Sequence, residues 1–440
     1  MVRARRAPIT LDDLRGIVRH GSLIRLSPES RLLSPTAEGA LVAPALYGEA
    51  KLSAASTEVQ RWSSNTRNAY YQGRDPQGQD SVCVTLNSLA AEANALEAAL
   101  VEAARAGAPI PDIAIDFTRS ERTRHLGQIS ALTAPHRGYD ALLRDSLLEG
   151  QPFTETALGR GLTEARVTSA TGVLLLPHML ILGAWHSQGL KGGHGAKFGR
   201  VLVSEISGFG AMPAAAASSR IDPAAIEGVA IYQATEPPAL SFANRPFLGW
   251  ETEPSAKGKG KSGLYPAKRG QTPGAPALIN HGNIFPVARS ARASIAGAVH
   301  EMTLSLAGLR KLSFPRESDG RRDPEADLAA RTALAALALV AMTGRLTAGY
   351  AVRSGCDLIP HQPPQLEWLG ASLAEVTPLP ITQDEAVALL REAVAALRQH
   401  DLPWGPPHPI TLVPSPQLIE LVEKSQGVET AASDGPDDAA

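Results

Sequence analysis

The stretch CVTLNSLAAEANALEAALVEAARAGAPIPDIAIDFT, residues 83–118, sets a helical pattern next to a strand pattern. Residues 83–106 are rich in Ala, Leu and Glu and end before Gly107, so they predict a helix. Residues 110–118 alternate apolar and polar side chains, which predicts a strand. This part of the chain therefore combines both kinds of regular structure.

The same mixture continues in both directions from this stretch. Helical spacing or helix-forming composition predicts further helices at residues 10–26, 135–149, 325–344 and 386–399. Thr382 and Glu385 form a capping box in front of the last of these. Strands are predicted at residues 200–206 and 226–233. Long irregular segments separate the elements, so the sequence predicts the α+β class and not a regular doubly wound sheet.

The bulk composition indicates a soluble protein with a sizeable core. The chain has 440 residues, of which 44% are hydrophobic and 20% are charged. Its formal net charge of -2 does not favour a nucleic-acid binder, although local patches decide binding more than the total does. Cys83 and Cys356 suggest neither a zinc site nor a disulfide, which indicates a reduced cytoplasmic compartment, and we predict no cofactor or metal. The longest apolar runs are too short to span a bilayer, so no membrane partner is expected.

Two irregular segments and one tail interrupt the predicted core. We predict a single elaborated domain over residues 1–425, with candidate insertions at 27–80 and 237–290. The first insertion is rich in Ser, Pro, Gly and Asn, and the second in Pro, Gly and Lys. Residues 426–440 carry only acidic charges among small residues, which predicts a disordered tail.

Familiar enzyme motifs fit the chain poorly. The loop that ends in Lys197 lacks the Gly before the lysine and the Ser or Thr after it that a phosphate-binding loop needs. Trp185 stands where a serine nucleophile elbow requires its first Gly. A hydrolase or nucleotide-binding enzyme that uses the 183–200 loop nevertheless remains the alternative hypothesis, and a scaffold made of protein alone is a third.

Three basic segments are better candidates for function. Arg137 and Arg144 are seven residues apart and can share a helix face, where two guanidinium groups suit successive phosphates. The competing interpretation is an ion-paired face, with Asp140 or Asp145 as the partner. On composition alone we prefer this second interpretation.

The second and third basic segments are rich in glycine. Lys191, Lys197 and Arg200 lie in a loop whose glycines would let the backbone approach a phosphodiester chain closely, or which is simply a flexible surface loop. A Lys- and Gly-rich arm at 245–269 is followed by Asn280-His281-Gly282-Asn283, and it could equally be a linker. Aromatic residues make up only 5% of the chain, which favours binding of an RNA backbone over stacking on bases. We accordingly predict that Trp185 packs in the core.

In chain order, a series of short motifs resembles the backbone subunit of type I-G (formerly I-U) CRISPR Cascade complexes. This subunit is a Cas-seven-like member of the RAMP superfamily. The motifs cover roughly residues 81–360: Ala134–Arg137, Leu143–Ser146, Ala170-Thr171, Gly183–Gly189, Gly195–Arg200, Ser204–Ile206, Ser219–Pro223, Ile279–Ile284, Leu304–Leu306, Leu309-Arg310 and Arg353–Leu358. Their order is more specific than any one of them, although His186 stands where the family pattern has Asp.

The resemblance implies a fold and a function. The fold would be a modified RNA-recognition-motif (ferredoxin-like) palm with inserted finger and thumb elements. Residues 245–283 would form the thumb, with the loop at 34–80 as its competitor. Several copies would line up along one guide crRNA, and the guide would pair with the target DNA strand. The expected partners are therefore the guide, other copies of this chain and the other Cascade subunits, and the expected role is non-catalytic.

The predicted contacts to the guide RNA follow from the basic segments and the resemblance together. They are Arg137, Arg144, Lys191, Lys197, Arg200, His281 and Asn283.

Overall fold

The structure is a computed structural model. It describes residues 9–432 except 36–40, 47–57, 67, 122, 187–195, 227–228, 230–231, 234–249, 252–275, 277–280, 317 and 407. Its secondary structure mixes helices with strands throughout, which confirms the predicted α+β class. The finer arrangement as an RNA-recognition-motif palm stays a prediction.

The α-helices of the described residues are α1 Leu11–His20, α2 Glu58–Thr66, α3 Leu89–Arg105, α4 Ala141–Arg144, α5 Ala157–Thr163, α6 His178–Leu182, α7 Leu306–Leu309, α8 Pro324–Thr347, α9 Gln383–Arg398 and α10 Pro416–Ala432. Short 3-10 helices lie at Phe117–Arg119, Arg124–Leu126, Arg137–Tyr139, Phe153–Glu155 and Thr171–Leu175.

The strands are β1 Leu23–Leu26, β2 Leu32–Pro35, β3 Tyr70–Arg74, β4 Asp80–Asn87, β5 Ile113–Asp116, β6 Gln128–Ser130, β7 Ser146–Leu148, β8 Gln151–Pro152, β9 Ala184–Trp185, β10 Lys197–Phe198, β11 Leu202–Phe209, β12 Met212–Arg220, β13 Tyr232–Gln233, β14 Trp250–Glu251, β15 Ile284–Ser294, β16 Gly297–Ser305, β17 Ala351–Arg353, β18 Cys356–Pro360, β19 Leu366–Leu369, β20 Val376–Leu379 and β21 Ile410–Pro414.

A ten-stranded sheet built around β16 forms the centre of the protein. One edge of β16 pairs along its whole length with β11, which continues to β4 and β3. The other edge of β16 pairs with β1 at one end and with β2 at the other, and from these the sheet continues to β19–β20 and β18–β17. The pairings are antiparallel, so each strand can bury one face and leave the other accessible. Side chains along β11 and β16 alternate in burial accordingly.

Helices α1, α3, α8 and α9 pack with one another on the buried side of this sheet. Asp323 caps the amino end of α8, and Pro324 occupies its first turn, where a missing N–H costs no hydrogen bond. The helix is long and apolar enough to cross a membrane, but 94% of its most apolar window is buried inside the protein. Its composition is therefore that of a core helix.

A buried polar cluster lies between the helices and the sheet. Glu92 of α3 accepts hydrogen bonds from Arg345 Nη2 at 2.8 Å and from Ser204 Oγ at 2.8 Å. His300 contacts Ser204 Oγ through Nε2 at 2.8 Å and the Tyr350 hydroxyl through Nδ1 at 3.0 Å. Ser204, His300 and Glu92 are at most 2% exposed, so this Ser–His–Glu set links core elements and offers no access to a substrate.

A smaller sheet has the order β6-β5-β21-β7-β8. The C-terminal strand β21 inserts between β5, to which it is parallel, and β7, to which it is antiparallel. Both sheets belong to one compact unit, which comprises Met1–Ala214 and Ala291–Ile419. Ala215–Ser290 and Glu420–Ala440 form a second unit.

The second unit contains the candidate insertion at 237–290. Within it β13 pairs with β14, whereas residues 234–249, 252–275 and 277–280, with most of the candidate thumb, lie outside the described residues. The competing loop at 34–80 is described except for 36–40, 47–57 and 67, and it contains α2 and β3.

Two boundaries differ from the sequence predictions. Residues 83–87 belong to β4 and not to the helix, because Val84 and Thr85 favour a strand and Ser88 caps α3 by accepting a hydrogen bond from the Ala91 N–H. At the other end of the chain, α10 runs to Ala432, past the predicted domain boundary at residue 425, while the disorder of the acidic tail stays a prediction. Its first turn is capped by Ser415.

Other predictions agree with the structure. The helix expected at 325–344 is α8, and the strand expected at 200–206 is part of β11. The capping box in front of α9 is also present, since Thr382 and Glu385 exchange the expected hydrogen bonds.

Candidate nucleic-acid interface

A short hairpin positions the aromatic and basic side chains of the 183–200 segment. Strands β9 and β10 pair antiparallel, with Lys197 opposite Trp185 and Phe198 opposite Ala184. Phe198 is buried, so the alternation of side chains turns Lys197 and Trp185 to the outer face. The Lys197 Nζ lies 5.6 Å from the centroid of the Trp185 ring, which is a cation–π distance.

Trp185 is 62% exposed, and the prediction that it packs in the core is wrong. The physical reason is strand alternation. The apolar contacts of this hairpin are supplied by Phe198 and by Ala196, which are both buried, and Trp185 occupies the opposite face. An exposed tryptophan beside a lysine is a surface suited to bases as well as to phosphates.

Arg200 follows the hairpin and is exposed, with no ion pair or hydrogen bond among the residues that the structure describes. Its side chain runs past Gly183, whose φ of 83° and ψ of 152° lie in a region that only glycine adopts readily. A Cβ at Gly183 would lie 2.8 Å from the Arg200 Cγ. The glycine thus makes room for the arginine.

Replacing Gly183 with alanine is expected to destabilise the protein by about 1–3 kcal/mol and to displace Arg200, because the new Cβ needs a strained backbone and meets the arginine stem. Gly199→Ala is the matched control, since a Cβ at Gly199 meets nothing within 4 Å. Chemical denaturation of both variants checks the prediction. Equal stabilities for Gly183→Ala and Gly199→Ala would contradict it.

Arg137 is a buried anchor in the structure. Its Nε donates to Glu97 Oε1 at 2.6 Å, and its Nη1 donates to the Gly183 carbonyl at 3.0 Å. The residue is 9% exposed. Burial raises the pKa of Glu97, and the charges of Arg137 and, less strongly, Arg200 oppose that rise. We therefore place Arg137 beneath the interface, where it holds the start of the hairpin, and not on its surface.

Arg137 and Arg144 do not share a helix face, so that part of the prediction is wrong. Arg137 begins a 3-10 helix with a φ of 54°, and Arg144 ends the separate helix α4. Asp140 separates the two because its side chain caps α4, accepting from the Leu142 N–H. One long helix over 135–149 cannot form across this cap.

Arg144 is on the surface, with 44% of its side chain exposed. It makes a two-pronged pair with Asp145, at 2.7 Å from Nε to Oδ1 and 2.6 Å from Nη2 to Oδ2. The hydrogen bond to Asp145 raises the pKa of Arg144. Arg144 is therefore exposed, as an RNA contact would have to be, and it is also paired with Asp145, as the competing interpretation predicts.

His281 and Asn283 belong to the second unit, where they meet a motif about 60 residues earlier. Asp222 Oδ2 accepts from the Gly282 N–H at 2.8 Å and contacts His281 Nδ1 at 3.1 Å. Asn283 Oδ1 accepts from the Asp222 N–H at 2.8 Å. Backbone hydrogen bonds from Gly282 and Ala224 lower the pKa of Asp222, so this carboxylate is charged and fixes the turn. His281 keeps 44% of its side chain exposed.

Sequence reasoning missed two partners in this turn. Arg220 donates to the carbonyls of His281 and Gly282 at 2.9 and 3.2 Å, and Asp222 organises the turn as described above. Both residues lie in the Ser219–Pro223 motif, so the resemblance of that motif to the family could have pointed to them. Lys191 lies outside the described residues, as does Ser187, on which a serine-hydrolase hypothesis would depend.

Residues 32–213 match the family model described as "CRISPR-associated protein GSU0053". The matched residues include Arg144, Trp185, Lys197 and Arg200, but not His281 or Asn283. No curated protein matches the chain. The match spans less than half of the chain, and over these residues the chain is similar to a CRISPR-associated family.

Proposed function

We propose that this chain is a non-catalytic backbone subunit that binds the guide crRNA of a CRISPR effector complex of the type I-G Cascade kind. The observation that carries the proposal is the exposed set of Lys197, Arg200 and Trp185, which lies inside the part of the chain that matches a CRISPR-associated family.

The chemistry of these side chains suits an RNA backbone. A lysine ammonium is a compact charge that can approach one phosphate, and an arginine guanidinium binds two phosphate oxygens at once. Within the described part of the chain neither Lys197 nor Arg200 forms a direct ion pair with a carboxylate, and Arg200 acts on Glu97 only through its charge, so both cations can still approach a phosphate. Arg144 adds a third cation, partly neutralised by Asp145.

In the complex, several copies of the chain would line up along one guide and contact the other Cascade subunits. Because the protein would hold phosphates through Lys197 and Arg200, most bases would stay free to pair with the target DNA strand. Sequence specificity would then come from base pairing, and the subunit would need no catalytic group of its own.

The first test is the nucleic-acid content of the purified protein. We expect RNA of discrete length to copurify and to be released by high salt, since binding through phosphates releases counterions. Protein that is free of nucleic acid, and that ignores added guide RNA at low salt both alone and with the neighbouring subunits, would contradict the proposal.

The second test assigns the binding to the interface. For single-stranded RNA, Lys197→Ala and Arg200→Ala should each weaken binding and reduce the slope of log K against log salt by about 0.7, the value for one lost phosphate contact. Lys311→Ala is the control, because Lys311 is an exposed lysine of the same unit outside the hairpin. Slopes that do not separate the hairpin variants from Lys311→Ala would argue against this interface.

A further inference from the structure

A cavity of about 320 Å³ opens on the accessible face of the ten-stranded sheet. It is lined by outward side chains of β11 and β16 and by the hairpin of β3 and β4. Helices pack on the other face of the sheet, so the cavity faces solvent. Its volume lies at the lower end of the ~300–1,000 Å³ that sites for small ligands enclose, which is enough for one long side chain.

Two carboxylates face each other in this cavity. Glu205 of β11 lies directly opposite Glu301 of β16, and like charges in that position destabilise a sheet. Glu205 forms no hydrogen bond or ion pair with any residue that the structure describes. Burial and, to a smaller extent, the charge of Glu301 raise the pKa of Glu205. Glu205 is therefore a half-buried carboxylate that a cation from outside the chain would stabilise.

The arginines at the cavity leave this pair only partly neutralised. Arg31 Nη1 lies 3.3 Å from Glu301 Oε1, but the two side chains are 31% and 69% exposed, so their interaction is weak. Arg74 lies 3.7 Å from Asp80, in a pair that is more exposed still. The charged residues that line the cavity are Asp75, Glu205, Glu301, Arg31 and Arg74. Three carboxylates thus stand against two guanidinium groups, which leaves an excess of negative charge.

The aromatic wall of the cavity favours a planar cation over a metal ion. The Tyr71 hydroxyl donates to Ser207 Oγ at 2.9 Å, which fixes a ring that is still 40% exposed and on which a guanidinium group can stack. A Cβ at Gly73 would lie 3.3 Å from Cε2 of that ring, so the glycine leaves the ring its space. No three His, Cys, Asp or Glu side chains come together in the described ranges, and two carboxylates leave most of the coordination of a hard cation unfilled.

A buried donor beside the carboxylates requires an acceptor as well. Arg31 Nε is buried and has no hydrogen-bond partner within the described part of the chain, which is a costly arrangement. An arginine that arrives on a polypeptide brings backbone carbonyl groups with it, and one of these can accept from Arg31 Nε. A free metal ion or a polyamine offers no such acceptor, so the chemistry of the cavity favours a protein.

We propose that this cavity receives an arginine side chain of a partner protein, whose guanidinium group pairs with Glu205 and Glu301 and stacks on the Tyr71 ring. The inference goes beyond the proposed function, because it assigns a contact to protein and requires no RNA. The two surfaces carry opposite charge. Phosphates are attracted by Lys197 and Arg200 and repelled by the two glutamates, so one chain can bind RNA and a protein partner at separate places.

The test compares two capped pentapeptides in which glycines flank one central residue. In the first peptide this residue is arginine, and in the second it is citrulline, which has nearly the same shape and no charge. Titration calorimetry of the full chain at low salt measures both affinities. Charge-assisted hydrogen bonds are worth a factor of about 10 to 150, so the arginine peptide should bind more tightly by a factor in that range. A lysine peptide should bind less tightly than the arginine peptide, because an ammonium group neither stacks nor forms a two-pronged pair.

Variants at the cavity should change the ratio of these affinities. Glu205→Gln should bring the ratio close to one, and it should fold as well as the wild type because it removes a repulsion between neighbouring strands. Glu301→Gln should reduce the ratio less, since Glu301 is more exposed and already pairs with Arg31. Glu392→Gln, at an exposed position of α9 outside the cavity, is the matched control and should keep the wild-type ratio. The affinity for RNA should not fall in any of the three.

The outcomes separate this inference from the proposed function. The inference is overturned if neither peptide binds, if both bind equally, or if Glu205→Gln keeps the wild-type ratio. It is also overturned if Mg²⁺ or Ca²⁺ binds in a way that depends on Glu205 while the arginine peptide does not bind, because the cavity would then be a metal site. None of these results bears on RNA binding at the hairpin, which is measured separately with guide RNA.

Discussion

Replacing Arg345 with methionine is expected to reduce the free energy of unfolding by about 3–5 kcal/mol, because the change leaves a buried carboxylate without its charge partner. Arg345 Nη2 and Nε donate to Glu92 Oε1 and Oε2 at 2.8 and 3.0 Å. Burial alone would raise the pKa of Glu92, but hydrogen bonds and charges from His300 and Arg345 outweigh it and hold that pKa well below its usual range. Chemical denaturation of both proteins measures the loss.

A surface pair provides the matched control for this prediction. Arg15 Nη2 lies 2.9 Å from Glu325 Oε2, a similar distance, but the two side chains are 31% and 51% exposed. Arg15→Met should therefore lower the stability by less than about 1 kcal/mol. Arg345→Lys keeps the charge but loses the two-pronged geometry, so an intermediate loss is expected. Similar losses for Arg345→Met and Arg15→Met would show that the buried pair is not what holds these elements together.

The sequence could not reveal this cluster, because its members are far apart in the chain. Glu92 lies in a predicted helix, where a glutamate ordinarily faces solvent, and Arg345 is 253 residues away. Only the pairing of β11 with β16 brings Ser204 and His300 to the same place. Local pattern carries no information about such tertiary contacts.

Elements whose pattern is long and locally consistent were predicted well. Helix α8 has 24 residues, most of them strong helix formers, and a capping residue, and α9 has its capping box, so local and tertiary preferences agree. Residues 135–149 contain Pro135, Gly138 and the capping residue Asp140, and here the chain divides into a 3-10 helix, α4 and β7. Hydrophobic periodicity could not locate breaks set by single side-chain hydrogen bonds.

The interface shows the same limit for individual residues. Arg137 and Arg144 look alike in sequence, but Glu97 captures the first inside the protein while the second stays at the surface with Asp145. The sequence predicts Trp185 in the core because the low aromatic content favours binding of an RNA backbone over stacking on bases. Its exposure follows from the register of β9 with β10, which is decided by Phe198 on the opposite face.

Acidification from about pH 7.5 to about pH 5 is expected to destabilise the protein by about 2 kcal/mol through His178 alone. His178 in α6 is fully buried. Burial, helped by the charge of Arg137, lowers its pKa from 6.5 to about 3, and a weak contact with the backbone of Ala131 opposes this only in part. Below pH 6.5 the unfolded chain binds a proton at this histidine and the folded chain does not. The free energy of unfolding therefore decreases as the pH is lowered from about 6.5 to about 3.

His178→Leu removes this ionisable group at nearly constant volume. The variant should lose about one proton of the pH dependence of unfolding, and its stability near neutral pH should not decrease, because the ring nitrogens of His178 make no hydrogen bond of good geometry among the described residues. His20→Gln, at an exposed position, is the control and should keep the wild-type profile. The dependence that remains in His178→Leu should belong in part to His300, whose pKa is lowered chiefly by burial. Identical profiles for His178→Leu and the wild type would contradict the prediction, because His178 would then be protonated as easily in the folded chain as in the unfolded one.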